Sequence, residues 1–160
     1  MSELVIRPLG TTAEARTCAA FMAASEPWLT LRYPEERVLQ RLTDPAREVY
    51  VAEHSGQIIG VLMLNLSGPL SGYIQTIAFH PDWRSRGLGA QLMAFAEDRI
   101  FRHSPNVFLC VTEFNTRAQN FYERLGYRCV GRLENYLQPG HTEILMRKTK
   151  GSLLEFVPQK

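Results

Sequence analysis

The chain has 160 residues, 45% of them hydrophobic, and is therefore long enough to bury one substantial core without metals or disulfides. Its 18 basic and 16 acidic side chains give a formal net charge of +2, a balance that disfavours a nucleic-acid partner. The three cysteines are scattered and lack the spacing of metal ligands, which predicts reduced thiols and no metal site. The segment MSELVIRPLG and the lack of a long apolar run predict a cytoplasmic protein with no leader and no membrane contact.

The first half of the sequence predicts two helices and a group of neighbouring strands. In chain order these are a strand over 3–8, a helix over 11–24, a helix over 34–42, and strands over 48–54, 57–66 and 72–79. Thr11 and Glu14 form a capping box at the start of the first helix, and Pro34 suits the first turn of the second. Ser55-Gly56 separates two β-branched, apolar runs and predicts a hairpin, which the third strand extends.

The second half predicts a strand–helix–strand crossover. Its elements are a helix over 87–101, a strand over 107–112, a helix over 115–125, and strands over 127–133 and 142–147. Asn115 caps the second of these helices and Gly126 ends it. The crossover makes strands 72–79 and 107–112 parallel. The pattern predicts a mixed α/β sheet in a single domain over 1–150, with a tail over 151–160 whose packing the sequence leaves open.

The stretch RSRGLGAQLM, from Arg84 to Met93, places two arginines and two glycines at the start of the 87–101 helix. Glycines permit close approach to the backbone, and the N–H groups of a helix start attract anions, so this turn predicts an anion site. It is not a P-loop, because no Lys-Ser or Lys-Thr follows the glycines. It is not a dinucleotide fingerprint, because Leu92 occupies the third glycine position.

Two motifs carry a resemblance to a known family. Arg84-x-x-Gly87-x-Gly89 matches R-x-x-G-x-G/A, and NTRAQNFYERLGY, from Asn115 to Tyr127, matches N-x-x-A-x-x-F/L-Y-x-x-x-G-F/Y. In this order and separation they resemble the GCN5-related N-acetyltransferases (the GNAT family). The resemblance implies a central mixed, mostly antiparallel sheet of roughly six or seven strands flanked by about four helices.

The resemblance also implies acetyl-CoA as the co-substrate, with its pyrophosphate on the glycine turn and its pantetheine arm along the central strand. The physical reasons agree, because a helix start favours a pyrophosphate and a strand N–H can polarise the thioester carbonyl. The residues assigned to the cofactor are Ile77, Ala78, Phe79, Arg84, Ser85, Arg86, Gly87, Leu88, Gly89, Ala90, Asn115 and Tyr122.

Direct acetyl transfer to an amine requires a proton donor for the departing thiolate and a proton acceptor for the amine. The resemblance places Tyr122 near the sulfur, so Tyr122 is the predicted general acid. Related ribosomal-protein N-terminal acetyltransferases carry a glutamate at the position of Cys110, which here is most simply a small buried apolar residue. Glu113 is the predicted base, and the other groups that remain open for this role are His80, Glu134 and Glu143.

The predicted acceptor is a primary amine on a peptide N-terminus, a lysine or a small molecule. An α-amine with an intrinsic pKa of about 8 is easier to use without a strong base than a lysine amine at about 10.4. Trp28 in SEPWLTLRY and Tyr136 in ENYLQPGHTEILM are the predicted acceptor contacts. The resemblance leaves a homodimer open. The alternative function is a non-catalytic acyl-CoA-binding or regulatory module of the same fold.

Overall fold

The computed structural model describes residues 3–160, so Met1 and Ser2, which begin the predicted domain and the MSELVIRPLG segment, lie outside it. The strands are β1 (Val5–Pro8), β2 (Glu48–His54), β3 (Gln57–Asn65), β4 (Tyr73–Phe79), β5 (Asn106–Thr112), β6 (Arg128–Glu134) and β7 (Thr142–Thr149). The helices are α1 (Thr12–Ala23), α2 (Glu35–Leu42), α3 (Leu88–Phe101) and α4 (Thr116–Arg124), with a 3₁₀ turn over Pro81–Trp83. These elements confirm the predicted mixed α/β fold class.

The strands form one seven-stranded mixed sheet in the order β1-β2-β3-β4-β5-β7-β6. The first three strands are antiparallel, and β4 and β5 are parallel, which confirms the crossover. β7 lies between β5 and β6, antiparallel to both, so that Glu143 is opposite Thr112 on one side and Leu133 on the other. The sequence did not predict this insertion, because strand patterns indicate a buried face but not the choice of neighbours.

An ionic network around Arg7 joins the first strand to the first helix. Thr11 caps α1 by accepting a hydrogen bond from the Glu14 N–H at 3.2 Å, as the capping box predicts. The Arg7 guanidinium contacts the carboxylates of Glu14 at 2.8 Å and Glu53 at 2.7 Å. The hydrogen bond from Arg7 lowers the pKa of Glu14 to about 2. The entry into α1 is therefore fixed by charge as well as by a cap.

The described chain separates into two compact units, one of residues 3–65 and 75–97 and the other of residues 66–74 and 98–160. The first unit has a core in which α1 and α2 pack with apolar side chains from the early strands. The core residues of this unit are Ala15, Cys18, Ala19, Phe21, Met22, Val38, Leu42, Val51, Val61, Met63 and Ala78. Burial raises the pKa of Cys18 to about 12, so this thiol is part of the core and not a reactive group.

The second unit has buried side chains from the start of β4, from β5 and β7, and from α4. They include Ile74, Ile100, Val107, Leu109, Val111, Tyr122, Tyr127, Ile144 and Met146. The C-terminal tail belongs to this unit, because the Gln159 N–H donates to the Arg102 carbonyl at 3.0 Å and Phe156 is partly buried. Leu154 in the same tail is 99% exposed, so the tail adds little apolar burial of its own.

Gly72 controls the close approach of β4 and β5. Its φ of +92° lies in the left-handed region, and its carbonyl accepts a hydrogen bond from the Phe108 N–H at 2.9 Å. A Cβ at this position would lie 2.3 Å from the Asn106 carbonyl oxygen and 2.8 Å from Cγ2 of Ile100. Both the backbone conformation and the space therefore require glycine.

We expect Gly72→Ala to destabilise the protein by roughly 3 kcal/mol or more, because it combines backbone strain with a clash against backbone atoms. Gly68→Ala is the matched control, since Gly68 has a φ of +87° but no atom within 4 Å of its missing Cβ. It should cost only about 1 kcal/mol. Denaturant unfolding of both variants measures the difference, and equal losses would show that packing around Gly72 is not the constraint.

Candidate functional site

The ladder of β4 is irregular in the segment assigned to the thioester. The Gly72 carbonyl accepts a hydrogen bond from Phe108 and therefore faces β5. In a regular strand the backbone groups of every second residue face the same edge, so the N–H of His80 would also face β5. The His80 N–H instead donates to the Ile59 carbonyl of β3 at 2.8 Å. The alternation therefore changes between residues 73 and 80, as it does at a β-bulge or where a strand ends. Segment 77–79 lies within this range.

The turn after β4 adopts a conformation that exposes its backbone. Ser85 has a φ of 62° and Gly87 a φ of 76°, both in the left-handed region. For a serine this costs on the order of 1 kcal/mol, and such strain is concentrated at ligand sites. The space around Gly87 is open, because a Cβ built there would meet no atom within 4 Å.

The first turn of α3 continues this exposed backbone. The N–H groups of Leu88, Gly89 and Ala90 precede the first hydrogen bonds of the helix, so they have no acceptor within it. The helix dipole adds positive potential at the same end. An anion with several oxygens, such as a pyrophosphate, fits these donors.

The two arginines of the turn support it from the preceding segment. Arg84 Nε donates to the Phe79 carbonyl at 3.2 Å, and an Arg86 guanidinium N–H donates to the Asp82 carbonyl at 3.1 Å. The Arg86 guanidinium also lies over the Trp83 ring, 4.9 Å from its centre. Both side chains are exposed and keep further N–H groups, so they add positive charge while their main contacts hold the turn in shape.

Asn115 has the predicted capping role in α4. Its Oδ1 accepts a hydrogen bond from the Ala118 N–H at 3.2 Å. Gln119 secures the same turn, because its Nε2 donates to the carbonyls of Thr112 at 3.3 Å and Glu113 at 2.9 Å. Within residues 3–160 the Nδ2 group of Asn115 has no hydrogen-bond partner, which leaves it available to a ligand.

Tyr122 is buried on α4, with only 8% of its surface exposed. Its ring contacts Phe121 at 5.3 Å and Tyr127 at 5.9 Å between ring centres. Burial raises its pKa, so the phenol stays protonated near neutral pH, as a proton donor requires. In the part of the chain described, its hydroxyl makes no hydrogen bond to the protein, so it is available to donate to a ligand.

Three of the four candidate bases, Glu113, His80 and Glu134, are at least partly exposed to solvent. Glu113 accepts hydrogen bonds at 3.3 Å from the Arg132 guanidinium and the Thr142 N–H, and its side chain is 38% exposed. His80 Nδ1 accepts from the Asp82 N–H at 3.3 Å, and Glu134 is exposed on β6. Both hydrogen bonds of Glu113 therefore go to its carboxylate oxygens, which already have protein partners.

The second unit contains a polar cluster, which we call the Glu143 cluster, made of Tyr73, Cys110, Thr112 and Glu143. The Thr112 hydroxyl donates to Glu143 Oε1 at 2.7 Å, and these two side chains are 2% and 3% exposed. Burial raises the pKa of Tyr73, Cys110 and Glu143 alike. The interaction between the Tyr73 hydroxyl and the Cys110 thiol raises the pKa of Tyr73 further and acts to lower that of Cys110.

Sequence reasoning missed Tyr73 and gave Glu143 no preference. The alternation of β5 places Cys110 and Thr112 on one face, but the insertion of β7 brings Glu143 to Thr112. Cys110 is half-buried and its raised pKa makes it an unreactive thiol, in keeping with the sequence interpretation.

The two predicted acceptor contacts lie in different units. Trp28 is partly buried and packs against the core of the first unit. Tyr136 belongs to the hairpin between β6 and β7 and is 61% exposed. That hairpin is shaped by Asn135, which has a φ of 54° and accepts a hydrogen bond from the Gly140 N–H at 2.8 Å. An exposed tyrosine on a well-ordered turn is free to contact a ligand.

Residues 3–160 contain neither a candidate metal centre nor a candidate membrane-spanning helix. No group of three histidine, cysteine or carboxylate side chains is arranged to hold a metal ion. In the same range, no helix has the length and apolar character needed to cross a membrane.

Comparison with known proteins decides the family. The model of the Acetyltransferase (GNAT) family matches residues 14–127. The chain belongs to this family. An uncharacterised N-acetyltransferase of Methanocaldococcus jannaschii is 32% identical to it over 103 residues. The matched stretch covers 63% of this chain and 65% of that relative, which is less than two thirds of the relative's length.

Solved structures of this family share the fold. The ribosomal-protein-S18-alanine N-acetyltransferase from Escherichia coli has a TM-score of 0.72 and 19% identity, over 97% of this chain and 99% of that one. An aminoglycoside 6'-N-acetyltransferase complexed with coenzyme A has a TM-score of 0.71 and 16% identity, over 91% and 96% of the two chains. The predicted family and fold are confirmed, and the predicted enzyme class and its co-substrate, acetyl-CoA, are those of the family.

Proposed function

We propose that this protein is an acetyl-CoA-dependent N-acetyltransferase that moves an acetyl group directly to a primary amine. The observation that carries the proposal is the turn before α3, where Ser85 and Gly87 adopt left-handed conformations and several backbone N–H groups have no helical acceptor. In a member of this family, that donor set fits the pyrophosphate of coenzyme A.

The backbone of the turn makes the main contacts to the cofactor in this proposal. The N–H groups of residues 85–90 bind the pyrophosphate, and Arg84 and Arg86 add charge from the rim. The pantetheine arm lies along segment 77–79, where an N–H outside the regular ladder polarises the thioester carbonyl. The free Nδ2 group of Asn115 donates to the arm while its Oδ1 caps α4.

Tyr122 supplies the proton for the leaving thiolate. The amine nitrogen forms a bond to the acetyl carbon, the carbon–sulfur bond breaks, and the electron pair goes to the sulfur. The sulfur takes the phenolic proton, and the proton released by the acylated nitrogen restores the phenol. The hydroxyl of Tyr122, which has no protein partner within residues 3–160, and its raised pKa both support this role.

The acceptor is a primary amine, and Trp28 and Tyr136 stay the residues that the sequence predicts to contact it. The solved relatives are named for acceptors as different as a ribosomal-protein alanine and an aminoglycoside, so the fold does not select among them. An α-amine or a small amine of similar acidity loses its proton more easily than a lysine amine. This favours a peptide N-terminus or a small-molecule amine over a lysine as the acceptor. The cytoplasmic location, the homodimer and the role of Glu113 as base stay predictions.

The direct test is thiol release from acetyl-CoA in the presence of amine panels: peptides with free N-termini, lysine peptides, polyamines and aminoglycosides. We expect one class of amine to accelerate thiol release. Its mass should increase by about 42 units for each acetyl group that replaces a hydrogen. Tight binding of acetyl-CoA without thiol release across all panels would instead support the non-catalytic acyl-CoA-binding module.

We expect Gly87→Val to raise the acetyl-CoA Kd about tenfold or more, because a branched side chain distorts the turn and covers its N–H groups. Gly56→Val is the matched control, since Gly56 has a φ of +78° and equally open space in the β2–β3 hairpin. Isothermal titration calorimetry measures both. Arg84→Gln and Arg86→Gln should have smaller effects, and larger ones would contradict binding through the backbone.

We expect Tyr122→Phe to lower kcat by roughly 10²-fold while the acetyl-CoA Kd stays unchanged, because only the proton donor is lost. The melting temperature should also hold, since the hydroxyl has no protein partner in the described chain. Tyr127→Phe, in the same aromatic group, is the control and should keep kcat. Normal turnover by Tyr122→Phe would remove the residue from the reaction.

A further inference from the structure

The transfer reaction still needs a proton acceptor, and Glu143 has the geometry of one. Its Oε1 is fixed by the Thr112 hydroxyl at 2.7 Å. Its Oε2 has no hydrogen-bond partner within residues 3–160, where the one fully buried polar side-chain atom without a partner is Asn106 Oδ1. A buried carboxylate that is held by one oxygen and has no partner at the other is positioned to accept a proton there.

The position of this carboxyl group in the chain suits the role. Thr112 ends β5, and Asn115 follows shortly after it to begin α4, the helix that carries Tyr122. Glu143 lies opposite Thr112 in β7, directly after the hairpin that carries Tyr136. The carboxyl group thus stands between the segment that leads to the proposed acid and the hairpin proposed to contact the acceptor.

We propose that Glu143 is the catalytic base of the acetyl transfer. It takes one proton from the ammonium form of the acceptor, R–NH₃⁺, and leaves R–NH₂ free to attack the acetyl carbon. The neutral carboxyl group then returns its proton to solvent. The inference rests on the proposed N-acetyltransferase function. It gives Glu143 the role of base that the sequence analysis predicted for Glu113.

The surroundings of Glu143 shift its pKa in the direction that a base requires. Burial raises its pKa, while the Thr112 hydrogen bond and the charge of His141 lower it and Glu113 raises it. From β4 and β5, Tyr73 and Cys110 face the same region with pKa values raised by burial, so both stay neutral. A carboxylate with a raised pKa takes up a proton more readily than an exposed one.

The approach to Glu143 runs past the other members of its cluster. Thr112 and Glu143 are almost fully buried, whereas Tyr73 and Cys110 are partly exposed. We therefore place the approach of the amine to Oε2 on the side of Tyr73 and Cys110, the two partly exposed members.

The test is Glu143→Gln, which keeps an oxygen for the Thr112 hydroxyl and removes the base. We expect kcat to fall by roughly 10²-fold or more at neutral pH with an unchanged acetyl-CoA Kd. The acid limb of the pH–kcat profile, which reports the loss of the carboxylate as pH falls, should disappear. Glu123→Gln, on the exposed surface of α4, is the control and should leave both the rate and the profile unchanged.

Thr112→Val supplies a second readout. Loss of its hydrogen bond removes a contribution that lowers the pKa of Glu143, so the acid limb should move to higher pH. The melting temperature of Glu143→Gln at neutral pH should equal or exceed that of the wild type, because burial disfavours the charged carboxylate that the substitution removes.

Two outcomes separate this inference from the proposed function. If the wild type releases thiol and Glu143→Gln keeps its kcat and its acid limb, Glu143 is not the base and the acetyltransferase function stands. If the folded wild type binds acetyl-CoA but releases no thiol with any amine, both the function and the base are overturned.

Discussion

The arrangement of the second unit depends on one backbone contact, the hydrogen bond from the Phe108 N–H to the Gly72 carbonyl. It sets the register of the parallel pair, with Tyr73 opposite Phe108. Because side chains alternate along a strand, Cys110 and Thr112 then follow on the same face as Phe108. Tyr73, Cys110 and Thr112 therefore lie on one face of the sheet, in a register that depends on a glycine at position 72.

The two units carry different kinds of chemical group. The first has backbone groups: a turn in left-handed conformations and the open start of α3. The second contributes side chains with environments set by burial: a protonated phenol at Tyr122 and a carboxyl group at Glu143 with a raised pKa. Backbone donors suit anion binding, which needs only N–H groups and space, whereas proton transfer needs side chains with adjusted acidity.

Most of the fold could be predicted from the sequence, because local signals coincide with its element boundaries. Thr11 and Asn115 cap helices as their types predict, and the alternation of Ser55-Gly56 with apolar runs marks a hairpin. The order of the last strands could not be predicted, since register and neighbour choice depend on contacts between distant residues.

The turn that we propose as the cofactor site could be found in the sequence for the same local reason, because glycine spacing and a helix start lie within one short motif. The pairing of Glu143 with Thr112 was not, because it joins two residues that are separated by a helix, a strand and a hairpin. The structure also shows what residue types do not. Glu113 and Glu143 are the same amino acid on neighbouring elements, and only one of them is sheltered from solvent.

The Arg7 network has a consequence for how this protein responds to acid. Glu14 has a pKa of about 2 in the folded state against 4.5 for the unpaired group, so its ionic contacts stabilise the fold above pH 4.5 and are lost as pH falls towards 2. Glu53 on β2 shares the same guanidinium. Protonation of Glu14 removes the charge that joins β1 to α1, whereas the backbone ladder between β1 and β2 has no titrating group. Acid therefore loosens the first helix from the edge strand before it affects the pairing of the strands.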